Sequence, residues 1–205
     1  MGWLLASVYD RWLAETEAAC LRAWREELLG AAEGDVLEVG AGTGANLDLY
    51  PRSATLTLSE PDRHMRARLA RRARGSTAAS IATIDGAATE ALPYPDQRFD
   101  VVVSTLVLCS VTDLQASLRQ IRRVLRPGGK LLFIEHVKAP AGTRRRLAQQ
   151  LVEPAWRRLA GNCHLTRVTD RAIEEAGLTL TRVERESMRK ALPIVRPTIR
   201  GVATR

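Results

Sequence analysis

Cysteine is scarce in this chain of 205 residues, which has three: Cys20, Cys109 and Cys163. They are odd in number, far apart and outside metal-ligand spacing, which excludes a disulfide framework, suits a reducing cytosol and gives the sequence no zinc motif. The expectation is a protein without a metal. Long apolar runs are also missing, none approaching the roughly 20 residues of a membrane span. The opening MGWLLASV has no preceding basic residues and no small-residue cleavage site after it, and it is too short for a secretory core. There are no internal repeats and no low-complexity segments, so solenoids and disordered arrays drop out.

What the chain does have is positive charge, +8 formally, carried by 31 Lys and Arg of which only Lys130, Lys138 and Lys190 are lysines. Such a charge ordinarily points to nucleic acid or an anionic surface. Here the arginines are dispersed, and Arg71-Arg72, Arg122-Arg123 and Arg144-Arg145-Arg146 fall on faces expected to be solvated helix. Nucleic acid is therefore not the expected partner, and an RNA-directed activity stays a minor reading. A hydrophobic content of 45% suffices for a sizeable core.

Periodicity supplies the architecture. Leu5, Val8 and Trp12, then Cys20, Leu21, Trp24, Leu28 and Leu29, recur at helical spacing. Strands are expected at 35–40, 55–60, 79–85, 99–108 and 130–137, and the last two in LTLTRVERE and IRGVATR. Helices are expected from about 44, at 62–74, at 113–126, at 141–160 and from Thr169 or Asp170 to Gly177. The alternation predicts a Rossmann-like, doubly wound, mostly parallel α/β sheet of seven strands, its last strand antiparallel, behind an N-terminal helical segment. One domain over 1–205 is expected. Its parts are an N-terminal helical segment at 1–30, a core at 35–137, a helical segment at 141–170 and a closing hairpin at 178–205.

The stretch LEVGAGTGANLDLY, residues 37–50, puts Gly40, Gly42 and Gly44 between the first strand and the short helix expected after it. Bare backbone there lets a ligand lie close, at the ligand-binding end of such a sheet. Gly40 to Ala45 fits a dinucleotide fingerprint loosely, with Glu60 as a ribose acceptor, so a nicotinamide oxidoreductase is one reading. A tight turn without a ligand is another.

The run VLEVGAGTGANL resembles motif I of the class I S-adenosylmethionine-dependent methyltransferases. Glu60-Pro61, ATEALPYPDQRFDVVV and LRPGGKLLFIEHV resemble, in order, that family's second-strand end, adenine loop with fourth strand, and fifth strand. The resemblance implies that the cofactor S-adenosylmethionine, leaving as S-adenosylhomocysteine, is held by Gly40, Ala41, Gly42, Thr43, Gly44 and Asn46. It also implies that Glu38 holds the α-ammonium, directly or through water, and that Glu60 with Pro61 meets the ribose. Ala88 and Thr89 would frame the adenine, Ala88 standing where many members carry Asp, and Thr105 and Leu106 would close the fourth-strand side. Tyr9 is a candidate to close over the cofactor, with ordinary helix packing as its alternative.

A narrower resemblance joins STLVLCSV, IEHV, EPAWRRLAGNCHLTR and VRPTIRGVAT to the methyltransferase-like-7 subfamily. Its animal members are thiol S-methyltransferases with a hydrophobic N-terminal anchor. MGWLLASV does not resemble that anchor, so a soluble, cytoplasmic bacterial-type relative is expected. The acceptor implied is a small molecule, a thiol first, with O- or N-methylation, or a non-catalytic cofactor-binding subunit, as alternatives. His136 is the first candidate for base or thiolate stabiliser and His164 the second, each with a hydrogen-bonded structural role as its alternative. The resemblance implies that 1–30 serves as a lid, 35–137 as the cofactor-binding core and 141–170 as the acceptor-site segment. Cys109, Cys163, Trp156 and Arg167 are candidate acceptor-pocket residues. For the cysteines and Trp156 core packing is the competing reading, and for Arg167 a pairing with Glu153.

Overall fold

The computed structural model describes residues 13–76 and 79–205. Lid positions before Leu13, Tyr9 among them, lie outside the described residues. A π-helical turn, Glu17–Leu21, runs into α1, Arg22–Leu29. Seven strands follow: β1 Gly34–Val39, β2 Ala54–Ser59, β3 Ser80–Asp85, β4 Phe99–Thr105, β5 Leu125–His136, β6 Thr179–Ser187 and β7 Pro197–Thr204. The intervening helices are α2 Arg63–Ala73, α3 Leu114–Val124, α4 Arg144–Leu159 and α5 Thr169–Glu175.

The strands form one sheet in the order β3-β2-β1-β4-β5-β7-β6. β1 to β5 pair in parallel, while β7 slots between β5 and β6 and runs against both. This is the doubly wound arrangement expected, with β7 as the reversed strand. The reason lies in the connections: β6 and β7 are joined by a short loop with one 3-10 turn, Pro193–Val195, which cannot make a parallel crossover.

Alternation along the central strands loads both faces with apolar side chains. Val101 and Val103 of β4 and Leu132 and Ile134 of β5 enter the layer under α1 and α2, with Leu28, Leu29 and Leu69. Val102, Leu131 and Phe133 enter the opposite layer, with Leu118, Ile121 and Ile173 of α3 and α5. Two helix starts are set by carboxylates: Asp62 accepts from the amides of His64 and Met65, and Asp113 from that of Ala116. The start of α5 differs from expectation, since Val168, not Thr169 or Asp170, occupies the N-cap and no side chain caps it.

Two departures near the ligand end of the sheet matter for the site. No helix follows the glycines; the chain makes a single 3-10 turn, Leu47–Leu49, and drops to β2. And β4 stops at Thr105 instead of continuing to residue 108. The cause of the second is Glu135, fully buried in β5. Its Oε1 accepts from Ser104 Oγ at 2.7 Å and from the amides of Val107 at 3.1 Å and Leu108 at 3.0 Å. Its Oε2 accepts from the Cys109 amide at 3.0 Å. Burial pushes the carboxyl pKa up while these four donors favour the ionised form. The amides that would have continued a strand are thereby captured, and the chain turns away as a loop. Glu135→Ala strands four donors, three of them fully buried, and is expected to cost at least about 3 kcal/mol in urea unfolding; a loss below about 1 kcal/mol would show that the loop holds itself.

Candidate active site

Strand order reverses direction between β1 and β4, which places a crevice outside their carboxyl ends. The crevice has a volume of about 380 Å³ and takes Gly40 and Gly42 from the loop after β1, Glu60 and Pro61 after β2, Ala88, Thr89 and Glu90 after β3, and Thr105 and Leu106 after β4. Four strand ends thus converge on one ligand-sized space.

The three glycines divide the work among them. A Cβ on Gly40 would stand 2.6 Å from Val107 Cγ2, and one on Gly44 would stand 2.7 Å from Leu47 Cδ1. Those two are bare so that the loop can pack on protein. Gly42, at φ +59°, would meet nothing nearer than a backbone oxygen at 4.0 Å, so its open side gives onto the crevice. Its amide donates to Glu60 Oε2 at 2.8 Å, and the amide of Asp62 donates to Glu60 Oε1 at 2.8 Å. Each oxygen keeps acceptor capacity toward the crevice. Burial pushes the Glu60 pKa up against those two bonds.

Glu38 does not line the crevice. Its Oε1 accepts from Asn46 Nδ2 and its Oε2 from Tyr50 Oη, each at 2.8 Å, and it is 3% exposed. Asn46 Nδ2 also reaches Thr105 Oγ1 at 2.8 Å, and Asn46 Oδ1 accepts from buried Arg25 at 2.6 Å. Arg25 in turn pairs with Glu17 at 3.2 Å. Glu38 and Asn46 therefore act from behind the loop, fixing its shape, and Ala41 and Thr43 are likewise buried rather than exposed to the ligand space. Burial lifts the Glu38 pKa to about 7 despite the bonds from Tyr50 and Asn46.

A second cavity, of about 560 Å³, lies beside the first. Cys109, His136, Trp156 and Cys163 line it, with Val195 packed in the same cluster as the two cysteines, and Leu13, Thr16 and Met188 are also among its lining. Leu106 and Ser110 line both cavities. Leu106 has φ +60°, a left-handed conformation that a leucine adopts at a cost, and its amide is tied to the Ile134 carbonyl at 2.7 Å. The loop gripped by Glu135 is thus the partition between the two spaces.

The sequence candidates sort themselves on this frame. His136 Nδ1 stands 3.7 Å from Cys109 Sγ and 3.6 Å from Cys163 Sγ. The Cys109 thiol, hydrogen-bonded to Cys163 and desolvated, is held well above the usual thiol range, and Cys163, as the acceptor of that bond, sits below it. His164 is not in the wall: its Nδ1 faces Glu153 Oε1 at 3.6 Å, and burial lowers its pKa. Arg167 pairs with neither an acceptor space nor Glu153, since its guanidinium donates to the carbonyls of Leu108 and Val111, bracing the partition loop from outside. Sequence reasoning missed Glu135, Glu90, Arg25 and Tyr50. The signals were a lone carboxylate inside the apolar run LLFIEHV and an acidic residue directly after Ala88-Thr89.

A dinucleotide cradle needs a helix N-terminus facing the pyrophosphate, and the 3-10 turn after Gly44 does not provide one. The comparisons agree. The methyltransferase domain family matches residues 37–133. Human thiol S-methyltransferase TMT1A is 37% identical over 171 residues, 83% of this chain and 70% of that protein. Human TMT1B is 39% identical over 181 residues, 86% of this chain and 74% of that one. Among solved structures, N-methyltransferase NodS from Bradyrhizobium japonicum, in complex with S-adenosylhomocysteine, superposes with a TM-score of 0.66 at 17% identity, covering 92% of this chain and 87% of that one. The chain belongs to the class I S-adenosylmethionine-dependent methyltransferases. Within that class its relatives include the TMT1 thiol S-methyltransferases.

The residues fit that cofactor: open space over Gly42, a buried carboxylate at Glu60 and an enclosed end at Ala88 to Glu90. Gly42→Leu is expected to abolish S-adenosylhomocysteine binding in calorimetry while costing only about 1–2 kcal/mol of stability for its left-handed backbone; retained binding would place the ligand elsewhere. Glu38 makes a separate, pH-dependent mark. The folded state holds its proton more tightly than the unfolded chain, so its contribution is full below pH 4.5 and is lost as the pH rises to about 7. The stability of the wild type relative to Glu38→Gln should therefore fall by roughly 3 kcal/mol across that window. A flat difference in denaturant titrations would contradict the burial argument.

Proposed function

We propose that this enzyme methylates the sulfur of a small thiol seated in the cavity walled by Cys109, His136, Trp156 and Cys163. The observation that carries the reading is the shared partition: the cofactor crevice and the acceptor cavity meet at Leu106 and Ser110, so donor and acceptor are held side by side. The thiol specificity of the TMT1 relatives supports the choice of acceptor.

When bound, S-adenosylmethionine supplies an electrophilic methyl group on a sulfonium. The chain's own residues do the rest. Glu60 and the Gly42 backbone face the ribose side, and Ala88, Thr89 and Glu90 close the adenine side, where Glu90 supplies the carboxylate that Ala88 lacks. Glu38, through Asn46 and Thr105, fixes the loop on the methionine side. The partition loop, bordering both spaces at Leu106 and Ser110, sets how the acceptor approaches the donor, the positioning that governs an in-line displacement. Methyl transfer to sulfur needs the thiolate, and a free thiol with a pKa near 8.5 is only a few per cent ionised at neutral pH. His136, the imidazole in the cavity wall, favours that thiolate.

Incubation with S-adenosylmethionine and a panel of thiols, phenols and amines is expected to give methyl thioethers by mass spectrometry. Methylation confined to phenols or amines would overturn the assignment. His136→Ala should lower kcat about tenfold with S-adenosylhomocysteine affinity unchanged; an unaltered kcat would remove His136 from the chemistry.

A further inference from the structure

Three donor atoms converge on the acceptor-cavity wall. Cys109 Sγ, Cys163 Sγ and one ring nitrogen of His136 all lie within 4.8 Å of one another. In sequence each cysteine is 27 residues from the histidine, a spacing that no linear metal motif describes. The geometry supplies what the spacing hides. Around a tetrahedral zinc ion with Zn–S near 2.3 Å and Zn–N near 2.0–2.1 Å, a sulfur and a nitrogen stand about 3.6 Å apart. The observed Nδ1–Sγ separations are 3.7 and 3.6 Å.

Two thiols and an imidazole are a donor set suited to thiophilic, borderline-soft ions. Both cysteines are buried, at 1% and 5% exposure, yet they line the acceptor cavity with His136. Three protein ligands on one wall leave a fourth position directed into that cavity, the pattern of a reactive rather than a purely structural site.

We propose that Cys109, His136 and Cys163 bind a zinc-class divalent ion whose fourth position takes the sulfur of the thiol acceptor. The second half of this assignment rests on the thiol reading above. As the ion enters, the two protein thiols release their protons to solvent. As the acceptor binds, its S–H bond breaks, the proton goes to solvent, and the sulfur remains on the ion as a thiolate. His136 then favours the thiolate through the ion rather than by taking the proton itself.

The test uses the full chain, purified under reducing conditions and exposed to zinc or cobalt(II). Near-stoichiometric zinc is expected to survive dialysis, and the cobalt form should show a thiolate-to-cobalt charge-transfer band in the near ultraviolet. A small thiol should intensify that band, and the matching alcohol should leave it unchanged. Cys163→Ala and His136→Ala, checked for folding by circular dichroism, should lose tight metal binding, whereas Gly42→Leu should keep it. Zinc well below stoichiometry, a cobalt spectrum unaffected by Cys163→Ala, or a Cys109–Cys163 disulfide in anaerobically purified protein would overturn the site. Thiol methylation at full rate by metal-free protein would overturn the ion's role and leave the thiol reading standing. Bound metal with no response to any thiol, and no thiol methylated, would overturn the fourth-position assignment together with that reading.

Discussion

A single buried carboxylate, Glu135, holds the amides of Val107, Leu108 and Cys109 and the hydroxyl of Ser104. In the interior an unpaired charge is prohibitively costly, so the loop must come to the carboxylate and the carboxylate must keep all four donors. The consequence is geometric. β4 ends at Thr105, short of the expected residue 108, Leu106 takes φ +60°, and residues 106–110 stand between two cavities. Arg167 clamps the same loop through the Leu108 and Val111 carbonyls. The boundary between the two cavities and the placement of Cys109 both depend on this one clamp.

A second polar cluster performs the equivalent task for the loop after β1. Glu38, Asn46, Tyr50, Thr105 and Arg25 are tied together beneath the glycines, so α1, β1 and β4 share one hydrogen-bonded joint. The network constrains the backbone of that loop, although one of its buried donors, Arg25 Nε, has no hydrogen-bond partner among the described residues. The crevice itself is bordered by Gly40 and Gly42 of this loop and by Glu60 after β2. The arrangement separates residues that shape the site from residues that face the crevice, a distinction the family resemblance alone blurs, since it implies a direct cofactor role for Glu38 as well as for Glu60.

Much of this was legible in the sequence. The strand-and-helix alternation, the glycine turn and the unbroken link between the last two strands determine a doubly wound sheet with a reversed β7, because each is a local property of the chain. The positions Gly42, Glu60, Pro61, Ala88, Thr89, Thr105 and Leu106 do meet at one crevice. What local reading could not supply was partnership across distance. The apolar run through Leu108 looks like strand until Glu135 takes its amides. Gly44 looks like a ligand contact until Leu47 is seen against it, whereas Gly40 both packs on Val107 and borders the crevice. His164 and Arg167 sit in the right segment but turn to Glu153 and to backbone carbonyls. The three cysteines look unrelated because only the folded chain brings Cys109 and Cys163 to His136.

The claim on which the rest stands is that the partition loop places a methyl donor and a sulfur acceptor on either side of Leu106 and Ser110. A crystal structure of the complex with S-adenosylhomocysteine addresses it most directly. The nucleoside is expected over Gly42 with its ribose at Glu60, and the thioether sulfur at the partition, directed toward the cavity of Cys109, His136 and Cys163. A thioether sulfur turned away from that cavity, or a ligand seated outside the crevice, would contradict it.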